Sequence, residues 1–234
     1  METRAIILVA GMSTRIREIS EGMPKSFLKV GDETLIERST RLVRGAGISD
    51  ITLVTGFMAD VFRERMNNCQ FVHNSDFKST NTSVSLSLAL NARTPSTDTR
   101  ILVLNGDVYF AEGIIEGMLA ADAPAVAAVQ RHALSEEEVK VFVSGDAITR
   151  IGKHLNEDLA YGEAFGMYLF GPRFATYLRQ ELRLLGNPKI FYEEAVDRLL
   201  QAGHTMTLND VGDALVREVD YPDDYRELKK LIGG

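Results

Sequence analysis

A glycine and two basic side chains near the start of the chain form a pattern suited to binding phosphate. Gly11 follows the apolar run Ala5–Ala10, and Arg15 and Lys25 come shortly after it. Backbone N–H groups next to a glycine can approach phosphate oxygens closely and form an anion site without a charged side chain. A guanidinium adds two-point contact with phosphate oxygens, and an ammonium adds a compact positive charge. The segment therefore predicts a site for a nucleoside triphosphate.

Acidic residues follow two other predicted strands. Asp107 comes after the predicted strand Arg100–Leu104, and Glu218 and Asp220 close a late strand that starts near Val216. Each acid alone would indicate only a turn at a strand end. Carboxylates that converge at strand ends are what Mg²⁺ needs, since the ion is bound by one or two of them together with phosphate oxygens and water.

The early motif resembles the signature of the nucleotidyltransferases with the sugar-phosphate nucleotidylyltransferase fold. The segment Leu8–Arg15, followed by Pro24 and Lys25, is similar to the family pattern L-A-A-G-x-G-x-R and P-K. This chain departs from the pattern at Val9 and at Ser13, which stands where the family has glycine. A serine there can still expose its N–H and adds a hydroxyl, so the resemblance implies that the phosphate loop is retained.

The acidic residues extend this resemblance over nearly the whole chain. Asn105-Gly-Asp107 and Glu218-Val-Asp220 look like the two metal-binding motifs of the same family, and the resemblance implies Mg²⁺ as the cofactor. The implied catalytic residues are Arg15 and Lys25; the implied metal ligands are Asp107, Glu218 and Asp220; the implied nucleotide-binding residues are Leu8, Ala10, Gly11, Met12, Ser13, Asn81, Ser83 and Asp107.

The segment Asn74–Ser83 indicates which nucleotide is bound. Sugar-1-phosphate members of the family usually carry a glycine-rich stretch here, and this chain has none. The step from Asn81 to Ser83 before a helix looks more like the cytidylyltransferases that act on phosphocholine or 2-aminoethylphosphonate. Asn81 can donate and accept hydrogen bonds, as recognition of a pyrimidine edge or a ribose requires. Ser83 is also suited to be the N-cap of the next helix, which alone would explain it.

The acceptor is expected to contact the second half of the chain. The segment Tyr161–Tyr168 resembles the family's G-E-x-x-G segment, which lies against the acceptor, and Glu163 is its polar residue. Lys153 is expected to pair with an acceptor phosphate. Tyr192 and Glu193 combine an aromatic ring with a carboxylate, which suits a cationic amine. The same two residues can instead be a core tyrosine and a first-turn acid placed for its helix dipole.

The order of the predicted elements indicates an α/β fold. We predict a single domain, residues 1–234, with a Rossmann-like, doubly wound, mixed but mainly parallel sheet of the nucleotide-diphospho-sugar transferase type. Residues 1–122 would form the nucleotide-binding half and residues 123–234 the acceptor-binding half. The predicted strands are 5–10, 51–55, 70–73, 100–104, 125–129, 139–143, 147–151, 163–170, 205–208 and 215–219; the predicted helices are 34–47, 59–66, 83–92, 172–183, 192–201 and 223–231.

Composition excludes several classes of partner. The 234 residues carry a net charge of −7, which argues against broad electrostatic contact with nucleic acid. Apolar runs fall short of the roughly 20 residues that span a bilayer, and the first residues lack the pattern of a signal peptide. The lone Cys69 excludes an internal disulfide and fits a reducing compartment. We therefore expect a cytoplasmic monomer or homodimer whose partners are small molecules, not nucleic acid or a membrane.

Together these patterns predict a Mg²⁺-dependent cytidylyltransferase that joins CTP to a small phosphorylated or phosphonate acceptor and releases pyrophosphate. Two alternatives stay open. A sugar-1-phosphate uridylyl- or guanylyltransferase shares the loop and the acids, and a nucleotide-binding regulatory module would bind without turnover. The P-loop, the three-glycine dinucleotide turn, histidines at metal-ligand spacing and the G-x-S-x-G elbow are all absent from the sequence.

Overall fold

A nine-stranded sheet runs through residues 1–233, the part of the chain that the computed structural model describes. The strands are β1 Glu2–Val9, β2 Lys29–Val30, β3 Glu33–Thr34, β4 Ile51–Thr55, β5 Gln70–His73, β6 Thr99–Asn105, β7 Val108–Phe110, β8 Ala125–Gln130, β9 Lys140–Ser144, β10 Ala147–Gly152, β11 Gly162–Phe170, β12 Met206–Asp210 and β13 Val216–Glu218. The helices are α1 Leu35–Gly45, α2 Ala59–Arg65, α3 Thr82–Ala92, α4 Ile114–Ala120, α5 Pro172–Leu184, α6 Glu193–Gln201 and α7 Pro222–Leu231. The strand order of the sheet is β5-β4-β1-β6-β11-β8-β12-β10-β9.

The first four strands of this order are parallel, with β1 between β4 and β6. Ala5 lies opposite Ile51 on one side and Leu102 on the other. Every residue from Ala5 to Val9 is buried, as is the whole of β4. A central parallel strand is covered on both faces, so a continuous apolar run rather than alternation is the pattern that suits it.

Two strands run against the rest and make the sheet mixed. β11 is antiparallel to both β6 and β8, and β10 is antiparallel to both β12 and β9. β11 is buried along its whole length and joins the strands on either side of residue 122 into one continuous sheet. The mixed, mainly parallel arrangement predicted from the sequence is therefore present.

Helices cover both faces of the sheet. On one face α3, α5 and α6 pack through residues such as Leu86, Phe174 and Val196, and on the other α1 and α2 pack through Ile36 and Phe62. Full burial of a side chain of this size contributes about 1.5–3 kcal/mol relative to exposure. None of the helices in residues 1–233 combines the length and the apolar character needed to cross a membrane.

A small second ribbon fixes the acidic segments. β7 pairs antiparallel with β13, so that Glu218 lies opposite Val108. Just beyond this pair the Val219 N–H donates to the carbonyl oxygen of Asp107 at 3.0 Å. Two segments that are far apart in the chain are thereby held edge to edge.

The predicted elements are present with ends that agree to within about two residues, apart from the earlier start of β1. Helix α4 and the short strands β2, β3 and β7 were not predicted. α4 contains Gly117, which lowers helix propensity by roughly 1 kcal/mol relative to alanine. A Cβ at Gly117 would lie 3.1 Å from Oδ1 of Asn209. This close packing explains why a glycine stands inside the helix, and the glycine is why α4 was not predicted.

Candidate active site

A cleft of about 440 Å³ opens at the carboxyl ends of β1 and β6. The loop after β1 lines one part of it, and Gly106 and Asp107 after β6 line another. Open α/β sheets bind their ligands in such a crevice. The predicted site residues that line this cleft are Leu8, Ala10, Gly11, Met12, Ser13, Arg15, Lys25, Asn81, Asp107, Lys153, Glu218 and Asp220.

Ser13 shapes the phosphate loop through its backbone. It has a φ of 54° and a ψ of 34°, in the left-handed region where glycine is favoured. Its Oγ accepts a hydrogen bond of 2.8 Å from the backbone N–H of Lys25. The left-handed conformation explains why glycine suits this position, and the hydroxyl gives the serine a compensating contact with the second half of the motif.

Lys25 is the centre of the charged network in the cleft. Its Nζ lies 2.5 Å from Oδ2 of Asp107 and is hydrogen-bonded to Oδ1 of Asp220. Burial by itself lowers the pKa of Lys25, but the charges and hydrogen bonds of the two aspartates outweigh it and raise that pKa above its ordinary value. Arg15 lies 3.7 Å from Oδ2 of Asp220 with about half of its side chain exposed. The lysine is thus a fixed cation, and the arginine remains accessible to a ligand.

Three carboxylates converge beside Lys25. Asp107, Glu218 and Asp220 each offer an oxygen, and these oxygens lie within 4.8 Å of one another. Burial, followed by the charges of the two aspartates, raises the pKa of Glu218 well above its usual range. For Asp220 burial acts in the same direction, but Lys25 and then Arg15 lower its pKa overall. Burial raises the pKa of both carboxyls, and the difference between them follows from the charges that each one faces.

This carboxylate group fits a divalent cation. Oδ1 of Asp107 is buried and has no hydrogen-bond partner within residues 1–233. Such an orphaned acceptor is rare and calls for a positive ligand. The donors are all oxygens, which suits Mg²⁺ better than a softer metal. The β7–β13 pairing that brings Glu218 to Asp107 is what assembles the group.

Asn81 and Ser83 have different places at the start of α3. Asn81 is the N-cap: its Oδ1 accepts from the Thr82 N–H at 2.8 Å, while its Nδ2 donates to the Lys189 carbonyl at 3.2 Å. The prediction of Ser83 as the N-cap is therefore wrong. The Ser83 hydroxyl donates to the Ile190 carbonyl at 2.7 Å, outside the residues that line the cleft in the described chain. It ties α3 to a distant loop and does not face the nucleotide site.

Lys153 occupies the expected acceptor end of the cleft. Its Nζ lies 4.8 Å from the centre of the Phe191 ring and 4.0 Å from Oε2 of Glu137. Both partners line the cleft, and more than a third of Phe191 is exposed. An aromatic face and a carboxylate around one ammonium form a site that accepts a cation.

Glu163 and Glu193 are buried and are not among the residues that line the cleft. Glu163 is buried, and its Oε2 lies 2.7 Å from Nε2 of His132. The hydrogen bond with Glu163 raises the pKa of His132, and burial raises the pKa of Glu163. Burial also raises the pKa of Glu193 to about 7, although the Tyr168 hydroxyl donates to it at 3.3 Å.

Tyr192 is a core residue in the structure. Its ring is fully buried and its hydroxyl donates to Oδ1 of Asn105 at 3.4 Å. The predicted direct contacts of Tyr192, Glu193 and Glu163 with the acceptor are therefore not supported by their positions. The side chains of successive residues at a helix start point in different directions, and here Phe191 faces the cleft.

Several cleft residues were missed in the sequence. Phe77 and Asn74 lie near the expected base end, and Glu137 and Phe191 near the expected acceptor end. Asn74 is buried and donates to the hydroxyls of Thr80 and Ser85. Phe191 directly precedes the predicted Tyr192 and Glu193, so the sequence signal was one residue away. Glu137 lies in a run of acidic residues, and that run gave no signal for a binding site.

Comparison with known proteins places the chain among nucleotidyltransferases. The family model of the MobA-like NTP transferase domain matches residues 5–218. A CMP-5'-(3-aminopropyl)phosphonate synthase of Streptomyces rubellomurinus is 26% identical over 245 aligned positions, covering 96% of this chain and 38% of that protein. A choline-phosphate cytidylyltransferase of Haemophilus influenzae is 32% identical over 87 residues, covering 36% of this chain and 37% of that protein. The match spans less than half the length of each of these relatives.

The fold has a close counterpart among solved structures. A CTP:phosphocholine cytidylyltransferase from Streptococcus pneumoniae superposes with a TM-score of 0.84 at 18% identity, covering 99% of this chain and 100% of that one. At this identity the likeness establishes the fold. The predicted fold class is therefore confirmed.

Proposed function

Because the chain belongs to the family of MobA-like NTP transferase domains, we propose that it transfers CMP from CTP to a small phosphorylated or phosphonate acceptor and releases pyrophosphate. One observation carries this proposal: Lys25 lies between Asp107 and Asp220 in the same cleft as the phosphate loop. The names of the relatives support the choice of cytidylyl transfer and of a phosphonate or phosphocholine type of acceptor.

The reaction needs positioning more than proton transfer. An oxygen of the acceptor's phosphate or phosphonate attacks the α-phosphorus of CTP, and the bond from that phosphorus to the bridging oxygen breaks. Pyrophosphate leaves with the bonding electrons. The attacking oxygen is already anionic at neutral pH, so a general base is not required. The protein's task is to align the two groups and to neutralise charge.

The loop and its two basic residues perform the alignment. The open backbone at Gly11 would accept phosphate oxygens, since even a Cβ there would meet no atom of the chain within 4 Å. Arg15, half exposed, is free to make a two-point contact with the triphosphate. Lys25 supplies the charge next to the transferring group, and its hydrogen bond to Ser13 ties it to the loop.

Asp107, Asp220 and Glu218 would hold a Mg²⁺ ion, a role that fits the orphaned oxygen of Asp107. When bound, the ion supplies charge neutralisation on the phosphate oxygens. Asp107 is held in place by the backbone hydrogen bond from Val219. Glu218 lies in β13, and Asp107 and Asp220 lie next to the paired strands β7 and β13, which keep the three carboxyls close together.

The acceptor end favours an amine-bearing substrate. Phe191 and Glu137 surround the Lys153 ammonium, and the same aromatic face and carboxylate can accept a substrate cation. Lys153 would then be released toward the acceptor's phosphate or phosphonate. Both groups of a zwitterionic acceptor have partners at this end of the cleft.

A pyrophosphate-release screen tests the proposal. Four nucleoside triphosphates are crossed with phosphocholine, 2-aminoethylphosphonate, a polyol phosphate and a sugar 1-phosphate, each with Mg²⁺. Release is expected with CTP and an amine-bearing acceptor. Preference for UTP or GTP with the sugar phosphate would support the sugar-nucleotide alternative, and binding without release would support the regulatory one.

Variants in the same assay test the site. Asp107→Asn is expected to lower the rate by about 10²–10³, since it removes charge stabilisation at the reacting phosphate. Asp213→Asn is the matched control, because Asp213 is exposed and lies outside the cleft. Equal rates for the two variants would exclude Asp107 from the site.

A further inference from the structure

Lys140, at the start of β9, is a buried cation that the proposed reaction does not use. Its side chain is 1% exposed, and its Nζ donates to the carbonyl oxygens of Glu136 at 3.0 Å, Glu138 at 3.3 Å and Lys153 at 3.0 Å. An ammonium has three N–H donors, so each one is used. Burial of a charge without compensation is costly, and here backbone carbonyls provide that compensation.

The acidic side chains around Lys140 are directed elsewhere. The Glu138 carboxylate accepts from the N–H and hydroxyl of Ser135, both at 2.6 Å, and the Glu137 carboxylate faces Lys153. Within residues 1–233 no carboxylate oxygen lies within 4.0 Å of the Lys140 ammonium. The lysine therefore binds main chain rather than an acidic partner.

The three carbonyls belong to two different loops. One joins β8 to β9, and there Lys140 binds the carbonyl oxygens of the two residues that flank Glu137. The other joins β10 to β11 and begins at Lys153. Glu137 and Lys153 are the charged residues at the acceptor end of the cleft. One buried ammonium thus fixes the backbone beneath both.

We propose that Lys140 is a positioning residue for the acceptor: it holds the two loops so that Glu137 and Lys153 meet an amine and a phosphate or phosphonate at the right separation. This role rests on the proposed function. Long, partly exposed side chains lose entropy when they are ordered, and anchored backbones reduce that cost. The phosphate loop follows β1 and receives none of the three Lys140 hydrogen bonds, so its position does not depend on the link that Lys140 makes between the two loops.

Steady-state kinetics test this role. The acceptor is phosphocholine or 2-aminoethylphosphonate, whichever the wild-type protein turns over with CTP. In Lys140→Met the KM for the acceptor should rise by about tenfold or more, while the KM for CTP stays within about twofold. Lys140→Arg keeps the charge and the donors and should recover part of the affinity. Lys230→Met, an exposed lysine on α7, is the matched control and should behave as wild type. A folded Lys140→Met with unchanged acceptor KM, or with equal changes in both KM values, would overturn the proposal.

Amide hydrogen exchange separates this role from the activity itself. In Lys140→Met without substrate, exchange should accelerate in residues 132–139 and 152–156 together. Acceleration in one segment alone would contradict the proposal that Lys140 links the two loops. If Lys140→Met does not fold, hydrogen exchange of the wild-type protein provides the test. Saturation with phosphocholine or 2-aminoethylphosphonate, whichever is turned over, should slow exchange in both segments, and slowing in 152–156 alone counts against the proposal. A wild-type protein that releases no pyrophosphate counts against the cytidylyltransferase function, and the substrate-free exchange still tests Lys140.

Discussion

Replacing Lys25 with methionine should tighten the binding of a divalent cation in the absence of nucleotide. The Lys25 ammonium contacts Asp107 and Asp220, two of the three carboxylates that would hold the metal. A cation bound by these aspartates must displace the ammonium, so the lysine's ion pairs oppose metal binding in the wild-type protein. Methionine has a similar length and no charge, and it leaves the carboxylates free.

The size of the effect follows from the contacts. Two unit charges 4 Å apart interact by about 4 kcal/mol at an effective dielectric constant of about 20. The lysine makes closer contacts, but 21% of its side chain is exposed and the open cleft screens the charges. Hydrogen bonds to charged groups retain about 1.5–3 kcal/mol in proteins. An increase in metal affinity of roughly 10- to 100-fold is therefore expected.

Titration with Mn²⁺, in which electron paramagnetic resonance reports the free ion, measures this affinity directly. Arg15→Gln is the matched control: it also removes one positive charge, but of the three carboxylates Arg15 pairs only with Asp220, at 3.7 Å, and it is half exposed. Its effect should be no more than about threefold. The thermal midpoint of Lys25→Met should fall in the presence of a chelator and recover with Mn²⁺, because the aspartates repel each other without a cation.

The Mn²⁺ titration can also contradict the predicted competition between Lys25 and the metal. Mn²⁺ affinity in Lys25→Met that equals or falls below the wild-type value would show that the ammonium does not compete for the metal site. The same variant should lose about 10²–10³ in pyrophosphate release with CTP, because the charge at the transferring group is gone. Tighter metal binding with slower turnover is a combination that general unfolding would not produce.

Three further predictions concern single side chains. In urea unfolding, Ser13→Gly should change the free energy of unfolding by less than about 1 kcal/mol, since relief of the left-handed strain offsets the lost hydrogen bond from the Lys25 N–H. The same variant should raise the KM for CTP, because the loop loses that contact with Lys25. A large loss of stability would show that strain relief does not offset the lost hydrogen bond. Because the pKa of Glu193 is raised to about 7, the folded state binds the extra proton and stability should fall as the pH rises from the ordinary carboxyl range through 7. Glu193→Gln should remove up to about 3 kcal/mol of this pH-dependent loss of stability, as measured by urea unfolding at pH 5 and pH 8. Equal pH dependence of the free energy of unfolding in the wild-type protein and the variant would show that Glu193 is not the cause. Phe191→Ala should raise the KM for an amine-bearing acceptor about fivefold with little change for CTP, and an equal effect on both substrates would argue against the cation site.

Much of the site could be predicted because strand ends are a local property of the chain. The apolar run that makes β1 is followed by Gly11, and the run that makes β6 is followed by Asp107. Parallel strands of one sheet end at the same edge, so residues that follow them must meet. The phosphate loop and Asp107 line one cleft for this reason. Lys25, Glu218 and Asp220 line the same cleft, and the two late acids reach it because β13 pairs with β7.

The contacts of predicted site residues that lie outside the cleft lining could not be predicted in the same way. Glu163 meets His132, and Ser83 meets the Ile190 carbonyl, across strand pairings and loops far apart in sequence. Whether a polar residue faces a ligand or a buried partner depends on where the opposite segment lies. The periodicity of apolar residues along the chain gives no information about where that segment lies.

The amino-acid sequence was sufficient for the strands of the nine-stranded sheet, for the order of the predicted elements and for the residues that follow β1 and β6, since these depend on apolar runs and on neighbours in the chain. Only the tertiary structure decided that Phe191 rather than Tyr192 faces the cleft, that Lys25 lies between two aspartates, and that Lys140 joins two loops. Side-chain direction and burial arise from packing between distant segments, and those contacts exist only after the sheet has formed.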